Sequence, residues 1–142
     1  MKSLSLILLL VLSATGSDLS KAQDALNKND YEKAFSLLSP LAKDNNADAQ
    51  FHLATLYFHG KGTKTNTNEA FNYYKLSAEQ EHVNAQYTLA TKYCYGDHIK
   101  VDYTLCSKWA LKAKENGKNV SRLWKHFKLD EYLPATPDTM SK

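Results

Sequence analysis

The chain reads as an all-α protein, a stacked array of about three helix pairs plus a C-terminal capping helix, and three observations point there. The segment Ala49–Gly60 returns thirty-six residues later as Ala85–Gly96, keeping Ala, Gln, Leu, Ala, Thr, Tyr and Gly in register. The same period relates Asp30–Phe35, Asn66–Phe71 and Asp102–Ser107, which places a third copy ahead of the other two. Within the first full copy Ala49, Leu53, Leu56, Tyr57 and Gly60 fall at i, i+4, i+7, i+8 and i+11, one face of a helix. Units repeating at this period cannot bury their apolar faces alone, so they stack and present a continuous surface to partners.

The elements follow in order. Met1-Lys2, the apolar run Leu4–Leu12 and Ser13-Ala14-Thr15-Gly16 have the parts of a secretory signal, so residues 1–16 are expected to be removed and the mature chain to begin at Ser17. An apolar run this short falls far below the roughly 20 residues a bilayer span needs, which argues against stable membrane insertion once the signal is gone. Residues 17–134 read as one repeat domain, with copies over 18–46, 47–82 and 83–118 and a cap over 119–133. Residues 135–142 have little to bury and read as a flexible tail.

In the first copy Asp18–Leu26 is one helix, and Asn27-Lys28-Asn29-Asp30 is a short turn into a second. That second helix carries Phe35, Leu37, Leu38, Leu41 and Ala42, and Pro40 is expected to kink it. In the next copy Gly60 and Gly62 end the first helix, because glycine accepts the positive φ a helix terminus commonly needs. Thr67 or Asn68 is expected to cap its partner, whose returning face is Ala70, Tyr73, Tyr74, Ser77 and Ala78. The last copy repeats the plan through Ala85, Leu89, Tyr93, Gly96, Asp102, Cys106, Trp109 and Ala113, ending at Gly117. Ala54 and Ala90 permit close helix approach, while Leu53, Tyr57, Tyr73, Leu89, Tyr93 and Trp109 are the expected core. Val120, Leu123, Trp124, Phe127 and Leu129 give a final amphipathic helix without a partner.

Ala49-Gln50-Phe51, Leu53-Ala54, Tyr57 and Gly60-Lys61-Gly62, followed by Ala70 and Tyr73-Tyr74, resemble the Sel-1-like repeat, a relative of the tetratricopeptide repeat. Ala85-Gln86-Tyr87, Leu89, Tyr93 and Gly96, with Asp102-Tyr103 and Trp109, do so again, and the likeness covers roughly residues 20 to 117. It departs at His98, where the second loop glycine is replaced, and at Cys106 and Lys114, which stand for alanines. The resemblance implies a right-handed α/α superhelix serving as an adaptor in protein assemblies, with envelope or host-interaction roles among exported bacterial members. By analogy with tetratricopeptide arrays it implies that first helices line the concave face. Phe51, His52, Thr55 and His59 would then join Tyr87, Thr88, Thr91 and Tyr95 as candidate contacts, although Phe51 and Tyr87 could instead belong to the core between repeats.

The full chain has 18 basic and 15 acidic residues, too even a balance for a nucleic-acid binder. The charge is uneven, however. Eight lysines and arginines between Lys100 and Lys128 face only Asp102 and Glu115, and Lys118, Arg122 and Lys125 form a basic patch that reads either as a solvated helix face or as a dock for acidic partners. Cys94 and Cys106 are the only cysteines; an even count in an exported chain favours a disulfide, with two buried free thiols as the alternative.

No cofactor or metal is expected. His52, His59, His82, His98 and His126 form no i, i+4 pair with the carboxylate a zinc hydrolase motif requires. Gly60-Lys61-Gly62-Thr63 lacks phosphate-loop spacing, and no G-x-S-x-G occurs. These absences weigh against catalysis, although weak β-lactam binding or hydrolysis is attributed to some secreted members of the family. The reading is an exported, periplasmic or secreted monomer that binds a protein or peptide in its concave surface; the rival is an envelope enzyme acting on cell-wall fragments or β-lactams.

Overall fold

Five of the helices begin where a side-chain oxygen or nitrogen accepts a free backbone N–H, and these acceptors recur with the repeat. In a computed structural model describing residues 16–133, the helices are α1 over residues 16–27, α2 Tyr31–Lys43, α3 Ala47–His59, α4 Thr67–Glu79, α5 Val83–Tyr95, α6 Tyr103–Glu115 and α7 Ser121–Phe127. A 3-10 turn, Leu129–Tyr132, follows α7, and no strand occurs among the described residues. The expected signal segment up to Thr15 and the expected tail lie outside the described residues.

Second helices are capped by Asp30, Asn66 and Asp102, which accept from the N–H of Lys33 at 3.2 Å, Glu69 at 3.2 Å and Leu105 at 2.8 Å. The cap of α4 is therefore Asn66, not Thr67 or Asn68. First helices α3 and α5 are capped by Asn46, accepting from Ala49 N–H at 2.8 Å, and by His82, whose Nδ1 accepts from Ala85 N–H at 3.1 Å. Both end on a left-handed glycine, Gly60 and Gly96. Side-chain caps of this kind stabilise a helix by about 1 kcal/mol each.

The described residues divide into two compact units, one ending at Ser77 and the other beginning at Ala78. The first has a core of Ala22, Ala25, Ala34, Leu38, Leu41, Ala42, Ala49, Leu53 and Leu56. α2 runs through Pro40 as one helix, so the proline does not end it; Pro40 is exposed and sits in the last turn, and its missing N–H removes a single intrahelical bond, the one to the Ser36 carbonyl. Tyr57 packs edge-on against Phe35 at 5.3 Å and stacks on Tyr73 at 6.2 Å. Both tyrosines are only half-buried, a correction to their expected place in the core: they pack against its edge rather than within it. Leu53, Leu89, Tyr93 and Trp109 are buried as expected.

In the second unit α5 and α6 form an antiparallel pair with Leu89, Ala90, Tyr93, Cys94, Cys106, Trp109, Ala110 and Ala113 buried. Cys94 and Cys106 are joined in a disulfide with a Cα–Cα distance of 5.2 Å. The terminal amphipathic segment is a seven-residue helix and a 3-10 turn rather than one helix. Val120, Leu123 and Leu129 are buried, the Ser107 hydroxyl donates to the Tyr132 carbonyl, and Tyr103 meets the rings of Phe127 and Tyr132.

Candidate functional site

The first helix of a repeat must have one face for packing and can leave another for a ligand. In α3 Phe51, His52 and Thr55 are half-buried and His59 is exposed. Thr55 Oγ1 lies 3.0 Å from the Phe51 carbonyl oxygen, to which it donates, and 3.1 Å from the Tyr74 hydroxyl. The Phe51 ring lies 5.9 Å from that of Tyr74 and 5.5 Å from the His52 imidazole. Phe51 and Thr55 thus also seat α4, while His59, edge-on to Phe58 at 5.2 Å, projects at the end of the helix.

In α5 Tyr87, Thr88 and Thr91 are half-buried and Tyr95 is 63% exposed. Thr88, Thr91 and Tyr95 line a shallow cleft of about 280 Å³ together with Lys92 and Asp97. Lys92 is buried along its stem and pairs with Asp97 at 3.0 Å. The Tyr95 ring is held against Phe127 and His126, so it is exposed yet fixed in place. Such a face offers rigid aromatic area at low entropic cost with hydroxyls that can fix register.

The predicted basic patch lines two recesses that share Lys125. Arg122 and Lys125 stand exposed one turn apart on α7 and, with His126, line an open recess. Lys118 does not line that recess: its ammonium lies over the Tyr87 ring at 5.3 Å and donates to Asn84 Oδ1 at 2.9 Å. Lys118 and Lys125 share a cleft of about 670 Å³ with Lys114 and Trp124.

Two features are absent from the sequence reading. Gln50 and Gln86, both buried, send their side-chain amides to the carbonyls of Ala42 and Ala78 at 3.1 Å. Each ties a first helix to the last turn of the helix before it, as a second donor to a carbonyl that also accepts a backbone N–H, that of Asn45 at 3.2 Å or of Glu81 at 3.1 Å. The recurring Ala-Gln pair was the available signal. Lys114 is the other. It stands over the Trp124 ring at 5.4 Å, a pairing that depends on the turn at Gly117 and so has no local sequence signature.

Burial raises the hydroxyl pKa of Tyr73 and of Tyr93 above the ordinary phenol value, with smaller contributions from Tyr57 and Glu69 for the first and Asp102 for the second. Among the described residues no three His, Cys, Asp or Glu side chains come together as metal ligands would, and no helix is long and apolar enough to cross a membrane.

The family model of the Sel1 repeat matches residues 23–46, 47–82 and 83–118. A protective antigen present in uropathogenic Escherichia coli strains, whose crystal structure displays an SLR fold, is similar with a TM-score of 0.69 and 25% identity, over 75% of this chain and 24% of its own. A Sel1 repeat protein from Oxalobacter formigenes is similar with a TM-score of 0.61 and 28% identity, over 69% of this chain and 39% of its own. The chain thus spans well under half the length of either protein. No curated protein matches the sequence.

Proposed function

The chain belongs to the Sel1 repeat family, and on that footing we propose that it is an exported adaptor that holds a protein or peptide on the surface carried by its first helices. Sel1 repeats generally mediate protein–protein interaction and typically form non-enzymatic scaffolds. The observation that carries the finer reading is the recurrence, at equivalent positions of α3 and α5, of half-buried and exposed aromatic, hydroxyl and imidazole groups. They run from Phe51 to His59 and from Tyr87 to Tyr95.

Export is supported by the Met1–Gly16 pattern, by the Cys94–Cys106 bridge, which suits an oxidising compartment, and by analogy with a neighbour that is a protective antigen. The repeat domain is assigned to residues 17–134, and the concave surface expected of such arrays is assigned as the binding face.

The test is retention of an envelope protein by the processed chain, with and without the paired change His59→Ala and Tyr95→Ala. Intact mass should place the exported chain's first residue near Ser17, and the paired variant should keep its melting temperature while losing the partner. Undiminished retention by the paired variant would reject the assigned face, and recovery of only full-length protein from the cytoplasm would reject export.

A further inference from the structure

We infer that the cleft around Trp124 is a docking site for an acidic segment of a partner protein, an inference that rests on the adaptor reading and supplies the partner's chemistry. The cleft brings together Lys114, Lys118 and Lys125 against a single carboxylate, Asp130, with Val120 and the Trp124 ring forming apolar wall. Asp130 is itself engaged, accepting the Trp124 Nε1 hydrogen at 2.8 Å, which fixes the indole. Lys114 lies over that indole at 5.4 Å and Lys118 over Tyr87 at 5.3 Å.

An aromatic face holds an ammonium through its quadrupole without neutralising it. The two lysines are therefore positioned while keeping their full charge. None of the ion pairs among the described residues involves Lys114, Lys118 or Lys125, and Lys118 uses one of its three donors on Asn84. A carboxylate arriving here would meet donors already ordered, which lowers the entropic cost of binding. Steering by the excess positive charge would raise its association rate.

The occupant is a carboxylate-bearing peptide rather than a lipid surface or nucleic acid. Two of the three ammonium groups, those of Lys114 and Lys118, lie over the Trp124 and Tyr87 rings instead of projecting towards a plane, and Trp124 and Val120 add apolar area to the cleft. Lys118 rests on Tyr87, a residue of the α5 face, so an acidic segment here would continue directly from a ligand held on that face.

Fluorescence anisotropy of a short fluorescein-labelled Glu-rich peptide containing leucines, titrated with the processed chain, tests this. The peptide should bind, with affinity falling as salt rises, and its Gln counterpart should not. Joint substitution Lys114→Gln and Lys118→Gln should weaken binding about tenfold, from two lost charged contacts. The same charge loss at Lys108→Gln and Lys112→Gln, whose lysines lie over Trp109 instead, should change it little. Equal weakening by both pairs, no effect of the first pair, equal binding of the Gln peptide, or preference for phosphatidylserine vesicles over the peptide would each overturn the inference. Retention of the natural partner, sensitive to His59 and Tyr95, is a separate readout, so the adaptor reading and this site can fail independently.

Discussion

Alanine at Gly62 should cost far more stability than alanine at Gly117, although both glycines are left-handed, with φ of +68° and +88°. In that region a Cβ costs about 1–2 kcal/mol at either position. Their surroundings differ. A Cβ on Gly62 would overlap the Tyr31 carbonyl group and stand 2.8 Å from the Glu32 backbone nitrogen, whereas one on Gly117 meets nothing within 4 Å. The obstructing atoms at Gly62 are main chain at the start of α2 and cannot rotate aside, so the loop or the helix must shift, at a further cost of about 1–3 kcal/mol. The expected losses are about 2–5 kcal/mol for Gly62→Ala and about 1–2 kcal/mol for Gly117→Ala. Urea denaturation of the two variants reads the difference as midpoint shifts at constant slope. Equal losses would refute the seating of this loop on the first turn of α2.

Gln50→Leu should destabilise the fold by about 1 kcal/mol, since it removes the buried amide's hydrogen bonds to the Ala42 carbonyl and Asn45 Oδ1 while that carbonyl keeps the Asn45 N–H; an unchanged midpoint would show that the tie is dispensable. Cys94→Ser should cost about 3 kcal/mol, because the bridge closes a loop of twelve residues in sequence separation, and peptide mapping that finds two free thiols in exported protein would contradict the pairing. Burial raises the Tyr93 hydroxyl pKa above 10.0, so the folded chain holds that proton more tightly than the unfolded one. Stability should be intact below pH 10.0 and fall as pH rises through the folded value, and Tyr93→Phe should make this alkaline loss shallower in melts recorded across that range.

The helix order was legible because the caps share the repeat. Asp30, Asn66 and Asp102 stand one period apart, as do Asn46 and His82. The choice of Asn66 over Thr67 or Asn68 was not, since all three side chains can cap and only backbone geometry selects among them. Periodicity placed Tyr57 and Tyr73 on the inward face, but it carries no information on how far a long ring reaches past the edge of the core. The paired cysteines were foreshadowed by parity and by their helices.

The arrangement of the basic patch was hidden for a different reason. A run of lysines reads as a solvated face, and the rings that draw Lys114 and Lys118 aside, Trp124 and Tyr87, belong to other helices. Gln50 and Gln86 were visible as a repeat signature without a role, because their partners are backbone carbonyls, which every residue possesses.

Hydrogen exchange of the processed chain, alone and with its captured partner, tests the adaptor reading most directly. Slowed exchange should fall on α3 from Phe51 to His59 and on α5 from Tyr87 to Tyr95, extending to the residues around Trp124 if the partner carries an acidic segment. Protection confined to the second helices, α4 and α6, with α3 and α5 unchanged would contradict it.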